Sequence, residues 1–139
     1  MKVGIVYYSS TGNTEAMAKL FEKNLKELNV EGSVIEADNF KPDDVESFDR
    51  LLFGCAAAGS EELDDDTFLP MWESVVPVLG DKKIGLFGSH DWGDGEWIET
   101  WQEDAEEKGL TIVGTAIANL EPDDEAEVEI KALAEAIIK

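Results

Sequence analysis

The sequence predicts an α/β protein in which helices cover both faces of one parallel sheet, a doubly wound three-layer sandwich. Short apolar segments alternate with longer segments in which apolar residues recur at helical spacing, in the order β-α-β-β-α-β-α-β-α. Most of the short segments are apolar on both faces, as is typical of strands inside a parallel sheet. A loop rich in hydroxyl side chains follows the first strand, at the edge where such sheets bind ligands.

The predicted strands are five short apolar runs bounded by glycine or polar residues. The first run is rich in the β-branched and aromatic residues that favour strands. Because a helical segment separates most of them, we expect right-handed crossovers between parallel neighbours. The strands are Lys2–Tyr8, Ser33–Ala37, Arg50–Ala56, Lys83–Gly88 and Thr111–Ala118.

Four helices are predicted from the spacing of apolar residues. The first follows the hydroxyl-rich loop, and we expect Gly32 to close it. The second begins after Thr67, a suitable N-cap, and ends at Pro77, because proline does not continue a helix. The third runs from about Gly95 to Lys108 and the fourth spans Asp123–Ile138.

The composition indicates one folded and strongly acidic domain over residues 1–139. A chain of 139 residues that is 43% hydrophobic can fill one core. The 32 acidic and 11 basic residues give a net charge of −21, which repels nucleic-acid phosphates and anionic membranes. Partners of those two kinds are therefore excluded, and we expect a monomer.

The cysteine and histidine content excludes two kinds of structural site. Cys55 is the single cysteine and His90 the single histidine, so neither an intramolecular disulfide nor an ordinary Cys/His metal site is possible. We expect Cys55 to be a buried, small apolar residue. The N-terminal segment lacks the features of a signal peptide, and no apolar segment has the length of a membrane span. These features predict a cytoplasmic protein.

The loop after the first strand is the most informative segment, Ser9-Ser10-Thr11-Gly12-Asn13-Thr14. Hydroxyls and backbone N–H groups at a helix N-terminus can wrap a phosphate, and a glycine lets the backbone approach it closely. The alternative is an ordinary helix start. The segment lacks the Gly-Lys-Ser/Thr ending of an NTPase loop, the G-x-G-x-x-G of a dinucleotide fold, and the Cys and Arg of a phosphatase loop. Nucleoside triphosphate hydrolysis, dinucleotide binding and phosphatase activity are therefore disfavoured.

Two further loops follow the third and fourth strands at the same predicted edge. They are 56–61 and 89–95, and both are rich in small residues and glycine. Such residues leave backbone groups open to a planar ligand, and Trp92 offers a face on which that ligand could stack. Each loop alone would be interpreted as a glycine-rich turn. Three such loops converging on one edge favour a ligand site.

Three segments, in this order and spacing, are similar to a known family: Ser-x-Thr-Gly-Asn-Thr at 9–14, Ala-x-Gly-Ser-Glu at 57–61 and Trp-Gly-Asp-Gly-Glu-Trp at 92–97. Over essentially its whole length the chain resembles the short-chain bacterial flavodoxins of clostridial type. The resemblance implies a flavodoxin-like five-stranded parallel sheet of order 2-1-3-4-5 and non-covalently bound FMN. It also implies a low-potential carrier, not an enzyme, that transfers single electrons between redox enzymes by shuttling between semiquinone and hydroquinone.

The resemblance further implies roles for residues at the matching positions. The loop 9–14 would hold the FMN phosphate, Glu61 would accept the flavin N3–H, and Trp92 would cover one ring face. The Gly59-Ser60 peptide would turn its carbonyl toward flavin N5–H on one-electron reduction, which glycine permits. The implied cofactor-binding residues are Ser9, Ser10, Thr11, Gly12, Asn13, Thr14, Ala56, Ala57, Ala58, Gly59, Ser60, Glu61, Ser89, His90, Asp91, Trp92, Gly93 and Asn119.

Three residues depart from the family pattern. Ala58 stands where a larger side chain such as Met is expected, which would thin one wall of the flavin site. His90 and Asp91 stand where Tyr and Gly are expected. We interpret His90 as a solvent-exposed loop residue or, alternatively, as a ring close enough to the flavin to couple its protonation to reduction.

The acidic run Glu61–Asp66 is either a solvated loop or a docking surface for basic patches on larger redox enzymes. Two other functions are open to this topology. One is an FMN-dependent NAD(P)H:quinone or nitro reductase, although the chain has no insertion to bind nicotinamide. The other is a receiver-type signalling domain, which needs a phosphorylatable Asp where Cys55 and Ala56 stand.

Overall fold

A computed structural model describes residues 1–9, 12–56, 64, 66–90 and 95–139. Five strands form one parallel sheet with the order β2-β1-β3-β4-β5, the order that the family resemblance implies. Within the described residues, three α-helices and two short 3₁₀ helices connect the strands, and a fourth α-helix follows the last strand. The strands are β1 (Lys2–Tyr8), β2 (Glu31–Glu36), β3 (Arg50–Cys55), β4 (Lys83–His90) and β5 (Thr111–Asn119); the helices are α1 (Asn13–Glu27), α2 (Phe68–Leu79), α3 (Glu96–Glu107) and α4 (Asp124–Ile137).

The sheet separates two apolar cores because its central strands are buried on both faces. Val3 and Ile5 of β1 pack toward α1 and α4, whereas Val6 points to the opposite side, toward α2 and α3. Trp97 and Trp101 of α3 are almost fully buried in that second core. Among the described residues, no helix is both long enough and apolar enough to cross a bilayer.

Two predicted helix ends are wrong. Gly32 does not close α1; it lies in β2, and the helix ends at Glu27. Asn29 takes the left-handed conformation there with φ of 62°, and the Val30 N–H returns to the Leu25 carbonyl at 2.9 Å, so an asparagine terminates the helix where a glycine was expected.

Pro77 lies inside α2 and does not end it. The helix continues for two further residues, since Val75 and Leu79 remain fully buried and hold the last turn against the core despite the missing N–H. The helix ends instead before Gly80, which has φ of 59°.

Several strand ends also differ from the prediction. β4 extends to His90 and β5 to Asn119, because these last residues pair with each other across the sheet. β3 ends at Cys55, one residue early, and β2 spans Glu31–Glu36, since Ala37 begins a 3₁₀ helix. The two 3₁₀ helices, Ala37–Asn39 and Pro42–Ser47, were not predicted because segments this short carry little periodicity.

Candidate functional site

The candidate site lies at the carboxyl edge of the sheet, where the chain leaves β1 in one direction for β2 and the neighbouring β3 leads away in the other. Ligands of doubly wound folds bind at such a switch point. Ser9 follows β1, Ala56 follows β3, and Asn119 is the last residue of β5. Ser89 and His90 are the last two residues of β4. The prediction that they belong to the loop after this strand is therefore wrong.

The turn from β1 into α1 depends on Gly12. Its φ of 92° is in the left-handed region that favours glycine. In this conformation the Gly12 N–H donates to the Ser9 hydroxyl oxygen at 3.0 Å, which ties the end of the strand to the start of the helix. The side chain of Ser9 is therefore part of the turn itself.

The first turn of α1 leaves backbone donors open. The Ala16 N–H makes the first helical hydrogen bond, to the Gly12 carbonyl at 3.0 Å, and the N-cap residue supplies no side-chain bond. The amides of Asn13, Thr14 and Glu15 precede that bond and have no partner within the helix. Together with the positive end of the helix dipole, these amides favour an anionic ligand.

A buried hydroxyl pair joins α1 to β4. The Thr14 Oγ1 lies 2.7 Å from the Ser89 Oγ, and the two residues are 0% and 3% exposed. Two hydroxyls carry two protons, and the bond between them uses one. The second proton needs an acceptor, because a buried donor without one is costly.

His90 is buried, so its interpretation as a solvent-exposed loop residue is wrong. It is 9% exposed, and its ring centroid lies 5.2 Å from that of Trp97. The Asn119 Nδ2 is 3.4 Å from His90 Nδ1, and the Leu120 N–H donates to the His90 carbonyl at 2.7 Å. The His90 side chain is thus held between α3 and the end of β5.

Two glycine-dependent contacts position the end of β3. A Cβ on Gly88 would lie 2.1 Å from the Cys55 carbonyl oxygen, so the end of β3 can lie this close to β4 only because position 88 has no side chain. A Cβ on Gly54 would likewise meet the Phe87 ring at 2.2 Å. Cys55 is fully buried, as expected, and this burial raises its pKa to about 12.

Sequence reasoning missed two residues near this edge. Asp64 accepts the N–H groups of Thr67 and Phe68 at 2.7 and 2.8 Å, and therefore caps α2; Thr67 is the N-cap residue but its side chain makes no capping bond. Tyr7 donates to a Glu15 carboxylate oxygen at 3.4 Å. Burial, together with the charges of Glu15 and Glu36, raises the pKa of Tyr7 to about 12. An Asp three residues before the predicted N-cap, Thr67, was a usable signal for Asp64; no sequence feature indicated Tyr7.

The described chain places eight of the predicted cofactor residues along this edge and the adjoining start of α1: Ser9, Gly12, Asn13, Thr14, Ala56, Ser89, His90 and Asn119. The hydroxyl pair directly joins the first turn of α1 to β4. Lying outside the described residues are Ser10, Thr11, Ala57, Ala58, Gly59, Ser60, Glu61, Asp91, Trp92 and Gly93.

The donors at this edge fit a phosphorylated cofactor. Open helix amides and a spare hydroxyl proton are the groups that a phosphate dianion accepts from. No Lys or Arg occurs between Ser9 and Thr14, so the donor set is uncharged. The residues present therefore fit the phosphate of FMN.

The comparisons with known proteins agree with this assignment. The family model described as Flavodoxin matches residues 5–135. The flavodoxin of Megasphaera elsdenii is 45% identical over 137 residues, which cover 99% of this chain and 98% of that protein. The flavodoxin of Clostridium beijerinckii is 37% identical over 123 residues, 88% and 89% of the two chains. The solution structure of two-electron reduced Megasphaera elsdenii flavodoxin has a TM-score of 0.88 at 44% identity, covering 96% of this chain and 99% of that one.

Fold, edge and relatives together define an FMN-binding electron-transfer protein of the doubly wound α/β class, not an enzyme. The chain belongs to the flavodoxin family, and within it resembles the short-chain members of anaerobic bacteria. The reductase alternative is not favoured by these relatives.

Proposed function

We propose that the carboxyl edge of the sheet binds FMN with its phosphate at residues 9–14, and that the protein carries single electrons at low potential between larger redox enzymes. Bound FMN would supply the one-electron chemistry. Ser9 would hold the turn, the amides of Asn13 and Thr14 would bind the phosphate, and Ser89 and His90 would border the site from β4. As the family resemblance implies, residues 57–61 and 91–93 would contact the flavin ring.

The observation that carries this proposal is a group of uncharged hydrogen-bond donors at this edge that need an acceptor. The first-turn amides of α1 have no partner within the helix. The Thr14–Ser89 pair has one hydroxyl proton that the bond between the two side chains does not use. A dianion satisfies both at once. Because the segment 9–14 contains no Lys or Arg, it offers no positive charge to compensate an added electron, which favours a low potential.

The carboxylates around the edge act in the same direction. One carboxylate about 10 Å from the flavin, at an effective dielectric of about 40 to 80, raises the energy of an added electron by roughly 0.4–0.8 kcal/mol. For a one-electron couple this is about 17–35 mV per charge. Only charges within about one Debye length, roughly 10 Å, contribute fully. Several nearby carboxylates would together make the reduced carrier a strong donor.

The acidic run Glu61–Asp66 supports docking to a basic surface on the partner enzyme. Attraction between opposite charges raises the encounter rate, and salt weakens it. The net charge of −21 also supports a monomer, since two copies repel. A buried, unpaired Cys55 supports a reducing compartment, for which we propose the cytoplasm. We further propose that residues 1–139 act as one FMN-binding domain.

Gel filtration tests the binding step. The apoprotein is mixed with excess FMN or with excess riboflavin, which lacks the phosphate. We expect the protein fraction to be yellow with FMN and much paler with riboflavin. A colourless protein fraction with both flavins would overturn the proposal. Equal retention of FMN and riboflavin would contradict the proposed phosphate site at residues 9–14.

Electron exchange with a small basic haem protein tests docking. We expect the second-order rate to fall as salt rises from about 20 to 200 mM. Asp66→Asn, beside the candidate site, should lower the rate and weaken its salt dependence. Glu135→Gln lies near the C-terminal end of α4, away from the candidate site, and should do neither. A rate that is indifferent to salt would contradict the docking proposal.

A further inference from the structure

The Thr14–Ser89 pair is a contact between distant parts of the chain. Thr14 lies in the first turn of α1, Ser89 is the penultimate residue of β4, and the two positions are 75 residues apart in sequence. Their oxygens are 2.7 Å apart, an ordinary distance for a hydroxyl–hydroxyl bond. The pair is closed to bulk water, because the residues are 0% and 3% exposed.

The direction of this bond decides where the free proton points. Within the described chain, neither hydroxyl has a second hydrogen-bond partner. If Thr14 donates, the free proton is on Ser89. If Ser89 donates, the free proton is on Thr14, in the same turn as the open amides of α1. Only the second arrangement adds a donor to the phosphate-binding amides.

We propose that Ser89 is a positioning residue that donates to Thr14 Oγ1 and so directs the Thr14 hydroxyl proton at the cofactor phosphate, an inference that rests on the proposed phosphate site. Thr14 accepts one hydrogen bond and donates another, and each strengthens the other in a dry environment. The β-branched side chain has few rotamers, so the bond to Ser89 also fixes its χ1. Ser89 therefore acts on phosphate affinity through Thr14 and not through its own contact.

This role differs from a purely structural one. A bond that only fastens α1 to β4 would stabilise the apoprotein and would affect every flavin alike. A bond that orients the Thr14 proton affects FMN and leaves riboflavin, which has no phosphate, nearly unchanged. The ratio of the two dissociation constants separates these roles.

The test compares the full chain with Ser89→Ala, Thr14→Val and the double variant, by titrating each apoprotein with FMN and with riboflavin. We expect Ser89→Ala to weaken FMN binding roughly tenfold and riboflavin binding less than about twofold. Thr14→Val should weaken FMN binding roughly tenfold to a hundredfold. The double variant should match Thr14→Val within about twofold, since Ser89 has no effect without the hydroxyl that it orients.

Two controls accompany the series. Ser74→Ala removes a serine that donates to the Met71 carbonyl at 2.6 Å in α2, and should leave both dissociation constants unchanged. Ser89→Cys keeps a weak donor on a slightly larger side chain and should give an intermediate loss of FMN affinity, which also serves if the alanine variant fails to fold.

Three outcomes would overturn the inference: an unchanged FMN affinity in Ser89→Ala, an equal loss of FMN and riboflavin affinity, or a double variant whose loss is the product of the two single losses. The proposed phosphate site fails separately. If Thr14→Val leaves the ratio of FMN to riboflavin affinity unchanged, the phosphate does not bind at the start of α1, and the role of Ser89 falls with it.

Discussion

Replacing Gly88 by alanine tests how the end of β3 is held over the site. The new methyl would start 2.1 Å from the Cys55 carbonyl oxygen, whereas ordinary contact begins at 3.4 Å. The difference, 3.4 − 2.1, is a displacement of about 1.3 Å that the backbone must supply, because the obstacle is a carbonyl group and not a flexible side chain. Cys55 directly precedes Ala56 and the loop that follows β3, so this loop would move with it.

The expected magnitudes follow from that displacement. Overpacking a close contact costs about 1–3 kcal/mol of unfolding free energy. For a chain of this length that is a fall in Tm of roughly 3–10 °C. A shift of about 1 Å in groups that contact a ligand costs up to about a hundredfold in function. We therefore expect Gly88→Ala to bind FMN at least tenfold more weakly.

Gly85→Ala is the matched control on the same strand. There the methyl would meet the side chains of Leu52 at 2.5 Å and Leu133 at 3.0 Å, which can shift without moving the backbone of the site. We expect a lower Tm but nearly unchanged FMN affinity, measured by titration at a temperature where both variants are folded. A Gly88→Ala variant with native affinity, or a control with an equal loss, would refute the reasoning.

Three further predictions concern single side chains. The buried Cys55 thiol, whose pKa is raised to about 12, should not react with Ellman's reagent at pH 8 in the native protein and should react fully in guanidinium; rapid native reaction would contradict its burial. Asp64→Ala should lower the unfolding free energy by about 1–2 kcal/mol through loss of the α2 cap, with exposed Asp66→Ala as the neutral control in the same thermal scans. The Tyr7 phenol has a pKa near 10 in the unfolded chain and about 12 in the folded protein. Between these pH values the free energy of unfolding should therefore fall with rising pH more steeply in the native chain than in Tyr7→Phe. Parallel curves for the two proteins would show that the shift is absent.

The order of elements could be predicted because it rests on patterns that span many residues, whereas the strand order 2-1-3-4-5 was implied by the family resemblance. A strand such as β3, with Leu51, Leu52 and Phe53 in succession, is typical of a sheet that is buried on both faces. Where a single residue decides the outcome, prediction failed. Asn29 ended α1 in place of Gly32, and Pro77 was tolerated because its neighbours were buried.

The candidate site could be predicted as a set of loops but not as a set of contacts. The sequence places Thr14 and Ser89 at one sheet edge, because parallel strands end together. It does not show that their hydroxyls meet at 2.7 Å, since that depends on how α1 packs on β4. His90 was misjudged for a related reason: its burial comes from pairing with Asn119, 29 residues away in sequence, and from the Trp97 ring, whose position depends on how α3 packs.

The central claim is that this sheet edge binds FMN and uses it one electron at a time. Absorbance recorded while the FMN-loaded protein is reduced stepwise with dithionite, without oxygen, tests it most directly. We expect the yellow protein to turn blue after one electron per chain and to lose its colour with the second electron. A protein that holds no flavin, or that goes straight from yellow to colourless with two electrons, would contradict it.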